Sequence, residues 1–430
     1  MEDFINYEKI HKEVTEYLTK NHNEDYTKAL NGKSGDYQTA LKNCRSAIHH
    51  FITHSNKIPI SFNNEETIEK LFNDILLYGP VTPLVVSGTN QGISEVRIYG
   101  PYDISVQKPN GWVRLPIAFR SEEDLARLVN KIEAYSDVQT SDLNGFTDKT
   151  SLPTGERVTI FRAPNTRPTY YISIRVKDKE LFSSEELRRL DSISERQDSL
   201  VTFSMRSKGN SAWVGPQNSG KTTTMGAYLA KLPKTWNILT IEDIAEFFLS
   251  QRNPELIVSE LYVHNGDFSL TWEKVGVMSL RTAATVIFWG ELRESQSYYR
   301  AIDNMLTGQK GSGVCTHAGN AEEGIIRLAN RYHEAMPSTS YDHALKLVCD
   351  AIDFIPEIRF SQTGKRYMGN ISAISWDKKR KEPLIEPMIK RWFDKNDQAH
   401  EEYLGIPDFF KKNLLATNAV FEEDFLPWET

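Results

Sequence analysis

The chain of 430 residues has only three cysteines, Cys44, Cys315 and Cys349. They are far apart and form no CxxC pair, so the sequence carries neither a disulfide framework nor a zinc ribbon. Reduced thiols fit a cytosolic protein. An excess of positive charge is also missing: 51 Lys and Arg face 58 Asp and Glu, a formal charge of -7. The broad basic footprint of a nucleic-acid binder is therefore absent. No run approaches the ~18 apolar residues that span a bilayer. The first residues, Met1-Glu2-Asp3-Phe4, are acidic where a signal peptide is basic, and no export signal is expected. What is present is material for cores. Apolar residues make up 39% of the chain and aromatics 11%, enough for two or three domains and too much for a disordered chain.

Residues 1–64 read as a polar helical extension, broken near Asn21–Asp36 by Asn, Asp, Lys and Gly. His50 and His54 stand i,i+4 there, with Cys44 and His49 nearby; the ordinary reading is an amphipathic helix with exposed histidines. Residues 65–180 mix helix and strand. Glu66–Leu77 reads as a helix, Ser94–Tyr99 and Asp103–Gln107 alternate as strands, and Pro109-Asn110-Gly111 is a hairpin turn. Ser121–Asp124 caps a helix through Ile132, and further strands are expected at Arg157–Phe161 and Tyr170–Val176. This is a small α+β domain. Residues 181–200 are charge-dense and read as an exposed helix and linker. From 201 to 380 strands alternate with helices, which predicts a mostly parallel α/β sheet covered on both faces. Residues 381–430 read as a helical tail.

The chemistry begins at Gly215-Pro216-Gln217-Asn218-Ser219-Gly220-Lys221-Thr222, a complete GxxxxGK[ST] phosphate loop followed by Thr223. It lies between a short apolar strand and a helix, the setting the motif requires. Loop amides and the helix N-terminus can face phosphate oxygens, Lys221 can reach the β- and γ-phosphates, and Thr222 can ligate Mg²⁺. The absence of an NKxD-like guanine reader favours ATP. Next, Glu242 and Asp243 end an apolar strand, the edge at which open α/β sheets bind ligands. Asp243 there can hold water-coordinated Mg²⁺. The strand Ala283–Trp289 ends in Gly290-Glu291, which places Glu291 to polarise water against a γ-phosphate. Gly313–Ala318 forms another small-residue strand, ending in Thr316-His317.

In this order the segments resemble the type II/type IV secretion ATPase superfamily, the hexameric motors of secretion, conjugation and type IV pili. Thr240–Glu246 matches its Asp box, Leu280–Glu294 its Walker B segment and Thr307–Ala318 its His box. Tyr78–Leu84, Ser94–Gly100, Leu152–Val158 and Ser173-Ile174-Arg175 are similar to its N-domain segments. The resemblance covers about residues 65 to 380 and leans to the conjugation and type IV secretion branch. It implies a PAS-like N-domain and a RecA-like core, with Glu291, His317, Glu242, Arg157 and Arg175 as catalytic groups. It also implies ATP and Mg²⁺, a homohexamer, and partners in an inner-membrane platform or secretion apparatus. The expected location is cytoplasmic, peripheral at the inner membrane, without direct nucleic-acid binding. Three departures stand out: Ala284-Thr285 replaces Pro-Asp, Trp289 precedes Gly-Glu, and Gln309 replaces the histidine of TGH. They imply slow or partner-dependent turnover. The expected function is an ATP-driven motor; the alternatives are an ATP-gated ring scaffold with vestigial hydrolysis, or a nucleic-acid translocase.

Overall fold

In a computed structural model the chain folds into two units, Met1–Lys179 and Glu180–Thr430, each with its own contacts. The structure describes residues 2–32, 36–86, 92–108, 111–136, 146–153, 156–176, 182–243, 246–263 and 270–428, with 2–5, 136 and 146–151 described as backbone only.

In the first unit, helices Glu2–Asn21, Asn23–Asn31, Tyr37–His54 and Glu65–Leu76 pack through Val14, Leu18, Cys44, Ile48 and Leu71. Cys44 is thus a core residue, and His50 stacks on His54 along the exposed side of its helix. The helix from Glu65 is started by Asn64, whose side chain accepts from Thr67 N at 2.8 Å. Six strands follow: β1 (Glu95–Tyr99), β2 (Ile104–Lys108), β3 (Gly111–Leu115), β4 (Phe146–Ser151), β5 (Arg157–Arg162) and β6 (Tyr170–Arg175). They form one antiparallel sheet in the order β3-β2-β1-β6-β5-β4. Val96, Ile98, Val158, Ile160, Ile172 and Ile174 point to one face, and the helix Glu122–Ser136 covers them with Leu125, Val129 and Ile132. The period of two sends Arg97, Arg157 and Arg175 to the other face. Pro109 and Asn110 of the expected hairpin turn lie outside the described residues, though Lys108 and Gly111 on either side are paired.

The second unit is built on nine strands: β7 (Ser211–Gly215), β8 (Asn237–Glu242), β9 (Ile257–Tyr262), β10 (Val286–Glu291), β11 (Gly313–His317), β12 (Phe354–Phe360), β13 (Arg366–Asp377), β14 (Glu382–Phe393) and β15 (Ala399–Tyr403). Their order is β15-β14-β13-β12-β7-β11-β10-β8-β9. The six strands from β12 to β9 are parallel, and the last three are antiparallel. Helices Glu195–Arg206 and Lys221–Leu229 pack on one face through Leu200, Val201, Met225 and Tyr228. Helices Trp272–Ser279, Ser295–Leu306, Ala321–Ala335 and Tyr341–Ala351 cover the other. This is the RecA-like arrangement: β11 lies between the phosphate-loop strand β7 and the glutamate strand β10.

Two readings change. Residues 182–200 are not an exposed linker. Helices Ser184–Arg189 and Glu195–Arg206 each open with a capping box, Ser183 with Glu186 and Ser194 with Gln197. Gln197 is fully buried and donates through Nε2 to Met368 O and Gly369 O, at 3.1 and 2.7 Å. The charge density conceals two helix starts that belong to the second unit. The tail after Glu382 is also not helical throughout, because it supplies β14 and β15 before the helix Asp408–Leu415. Pro383 and Pro387 exclude a helix interior there, and pairing with the long strand β13 makes the segment extended.

Candidate active site

The phosphate loop leaves the sheet at Gly215, the last residue of β7. No larger residue fits: a Cβ at Gly215 would sit 2.4 Å from Ile358 O and 2.7 Å from Ser219 Oγ. Gly220, at φ +95°, takes the left-handed turn into the helix Lys221–Leu229, and Asn218 is also left-handed at φ +59°. Thr222 and Thr223 stand in the helix's first turn, where backbone N–H groups have no partner within the helix.

Lys221 is buried, and its Nζ donates to Gly215 O at 3.0 Å and Pro216 O at 2.9 Å. It also lies 3.0 Å from His317 Nδ1. His317 Nε2 contacts Glu291 Oε1 in turn. Both contacts are satisfied when Nδ1 accepts from Lys221 and Nε2–H donates to Glu291. The second Glu291 oxygen accepts from Arg293 at 2.5 Å, and Arg293 pairs with Asp243 at 3.0 Å. Residues at or just beyond the ends of β7, β11, β10 and β8 thus join in one polar chain along the C-terminal edge of the sheet. Register explains the order, since His317 pairs with Gly215, and Cys315 of the same strand with Glu291. Burial raises the pKa of Glu291, but His317 and Arg293 outweigh it and hold the carboxyl well below the usual carboxylate range.

Glu242 has a different environment. It is buried against Gly290, and its Oε1 accepts from Glu246 N at 2.9 Å and Phe247 N at 3.2 Å, so it anchors the loop after β8. Burial pushes its pKa up to about 8, against the opposing pull of these two amides. A raised acid pKa means that the folded state keeps a proton the unfolded state has already released. Stability from this group is full below the ordinary value of 4.5 and is lost as pH rises towards about 8. Glu242→Gln removes the titration and keeps an amide-accepting oxygen. Its unfolding midpoint should match wild type near pH 4.5 and exceed it increasingly up to pH 8, as read by urea denaturation across that range. Parallel pH profiles for the two proteins would sink the argument.

The three departures do not touch the polar chain. Ala284 and Thr285 precede β10, at the opposite end of the strand from Glu291. There Gln309 Nε2 donates to Ala284 O at 2.7 Å, and Thr285 Oγ1 accepts from Asn237 N at 3.1 Å. Trp289 is buried and stacked on Trp272, at 6.0 Å between ring centres, within the core of the other face.

The residues fit a nucleoside triphosphate. The loop is a cradle that a Cβ would fill, the helix starts on Lys221, and the buried Ser219 Oγ has no hydrogen-bond partner among the described residues. Thr222, the expected metal residue of the loop, stands in the first turn of the helix beside Lys221. Asp243, the other expected metal residue, faces Arg293 instead. Arg157 and Arg175 belong to the first unit, where they are register partners on adjacent strands. Arg293, for which the sequence alone predicts no role, sits within the Walker B segment two positions after Glu291. That spacing was the available signal.

The fold and the site define a RecA-like P-loop nucleotide-binding protein. The chain belongs to the family described as "Type II/IV secretion system protein", whose profile matches residues 79–352, more than half of its length. Among its relatives, the type IV secretion system protein VirB11 of Bartonella quintana is 26% identical over 294 residues, 60% of this chain and 81% of the relative. The VirB11 of Brucella suis is 25% identical over 324 residues, covering 68% and 88%. The X-ray structure of the Legionella pneumophila ATPase DotB shares the fold, with a TM-score of 0.50 and 16% identity over 69% of this chain and 81% of that one.

Proposed function

We propose that this chain is an ATP-hydrolysing motor that powers substrate transfer or apparatus assembly at a cell-envelope secretion machine. The observation that carries this reading is the continuous chain from Lys221 through His317 to Glu291 and Arg293, laid along the strand ends beside the phosphate loop. Membership of the secretion family supplies the context. In this reading Gly215–Gly220 wrap the phosphates, and Lys221 exchanges its loop carbonyls for phosphate oxygens. Mg²⁺, when bound at Thr222, neutralises phosphate charge. His317 links Lys221 to Glu291, so a change at the phosphates is felt by the carboxylate that orients water. Arg293 keeps that carboxylate ionised and tethers it to Asp243. Glu242 serves the site by fixing the Asp-box loop.

The active assembly is a homohexamer, docked on inner-membrane platform proteins from the cytoplasmic side. Among the described residues no helix is long and apolar enough to cross a membrane, which fits peripheral attachment. The test is electron microscopy of the purified protein with an ATP analogue, together with Mg²⁺-dependent phosphate release. Six-membered rings that turn over ATP are expected; a nucleotide-bound monomer without turnover would reject the motor.

Arg157 and Arg175 complete the proposal. They are register partners on adjacent strands, and Glu95 stands opposite Arg175 on its other side. By the family resemblance we assign them to the γ-phosphate. Arg157→Ala and Arg175→Ala should each cut turnover by about tenfold or more while ADP affinity stays near wild type. Wild-type hydrolysis in both variants would remove the first unit from the chemistry.

A further inference from the structure

We propose that Arg366 is a second cation of the nucleotide site and that it binds the diphosphate portion shared by ATP and ADP. β12 runs parallel to β7, with Glu357 opposite Val214, so its end emerges beside the phosphate loop. The turn that follows is tied by Ser361, whose N–H donates to Lys365 O at 2.8 Å and whose Oγ accepts from Lys365 N at 3.2 Å. The chain then re-enters the sheet at Arg366, paired with Phe360.

Alternation sends neighbouring side chains to opposite sides. Lys365 pairs with Asp191 at 2.9 Å and lies over the Phe393 ring, and Tyr367 packs on the same ring. Arg366 turns the other way, onto the phosphate loop. Its Nε donates to Asn218 O at 2.9 Å, and its Cδ lies 3.7 Å from where a Cβ on Gly220 would stand. The side chain is exposed, and among the described residues no carboxylate is within ion-pair distance of it.

A guanidinium has five N–H donors, and the single bond from Nε orients the group without neutralising it. Two cations, Lys221 and Arg366, are therefore brought to one short loop, an arrangement that an anion between them stabilises. They reach the loop differently. Lys221 is buried beside His317 and Glu291, where the terminal phosphate reacts, whereas Arg366 meets the loop at Asn218 and Gly220 from the solvent side. That position suits the phosphates that remain after hydrolysis. Arg366 thereby differs from Arg157 and Arg175, which are assigned to the γ-phosphate alone.

The inference rests on the phosphate-loop reading, and Lys221→Ala separates the two. If Lys221→Ala binds ADP normally, the loop reading itself fails; if it loses ADP while Arg366→Gln does not, only Arg366 is wrong. In Arg366→Gln, a fluorescent ADP and a non-hydrolysable ATP analogue should both bind about tenfold more weakly, the size of a lost charge-assisted contact. ADP binding should also become less salt-sensitive, with the unliganded melting temperature unchanged. Arg366→Lys should recover part of the affinity. Unchanged ADP affinity, or a loss confined to the ATP analogue, would overturn the assignment. So would a lowered unliganded melting temperature with no recovery in Arg366→Lys, because Arg366 would then only prop the loop.

Discussion

Lys221→Ala should weaken ATP and ADP binding by roughly a hundredfold or more, since several charge-assisted contacts are lost together. The amine touches both the loop and the catalytic edge: it holds Gly215 O, Pro216 O and His317 Nδ1. Removing it takes one donor from each of these acceptors and disconnects the loop from His317 and, through it, from Glu291. Nucleotide titration by calorimetry is the direct measurement, with circular dichroism to show that the sheet is intact. Wild-type hydrolysis in the variant would take the phosphate loop out of the mechanism.

Glu291→Gln separates binding from chemistry. Glu291 stands at the end of β10 with one oxygen on His317 and the other on Arg293. A glutamine oxygen can still accept from one of these donors, so the fold and nucleotide affinity should persist. The negative charge that orients and polarises water is gone, and turnover should fall by ~10²-fold or more, the range of a lost general base. Arg293 keeps Asp243 as a partner in the variant, which limits structural damage. Steady-state phosphate release beside nucleotide affinity decides the matter. Equal loss of both would make Glu291 a structural residue.

Much of this site is legible in the sequence because short-range rules write it there. A phosphate loop needs glycine where the backbone approaches another chain segment or turns left-handed, as at Gly215 and Gly220. Apolar strands ending in Glu242-Asp243, Gly290-Glu291 and Thr316-His317 announce a parallel sheet with polar groups at its C-terminal edge. What these patterns leave open is which strand lies beside which. Nothing local reveals that β11 inserts between β7 and β10, yet that order alone lets His317 bridge Lys221 and Glu291.

The misreadings have the same origin. Residues 182–200 look solvated because Glu, Arg and Asp crowd them, but one face of each helix is apolar, and Leu187 and Leu200 are buried. The segment after Glu382 becomes strand only because β13 offers twelve residues of edge to pair with. Its prolines were the local warning.

The sequence by itself determined the chemistry available to this protein: a phosphate-binding loop, carboxylates at strand ends and a histidine on a small-residue strand. These follow from steric and hydrogen-bonding requirements acting over a few neighbouring residues. Only the tertiary structure decided how that chemistry is wired. It turned Glu242 into a buried loop anchor, brought Arg293 between Glu291 and Asp243, and set the three departures away from the polar chain. It also carried Arg366 to Asn218, 148 residues earlier in the chain. The physical reason is that hydrogen bonds and ion pairs depend on distances of about 3 Å in space, and strand order, not sequence separation, sets those distances.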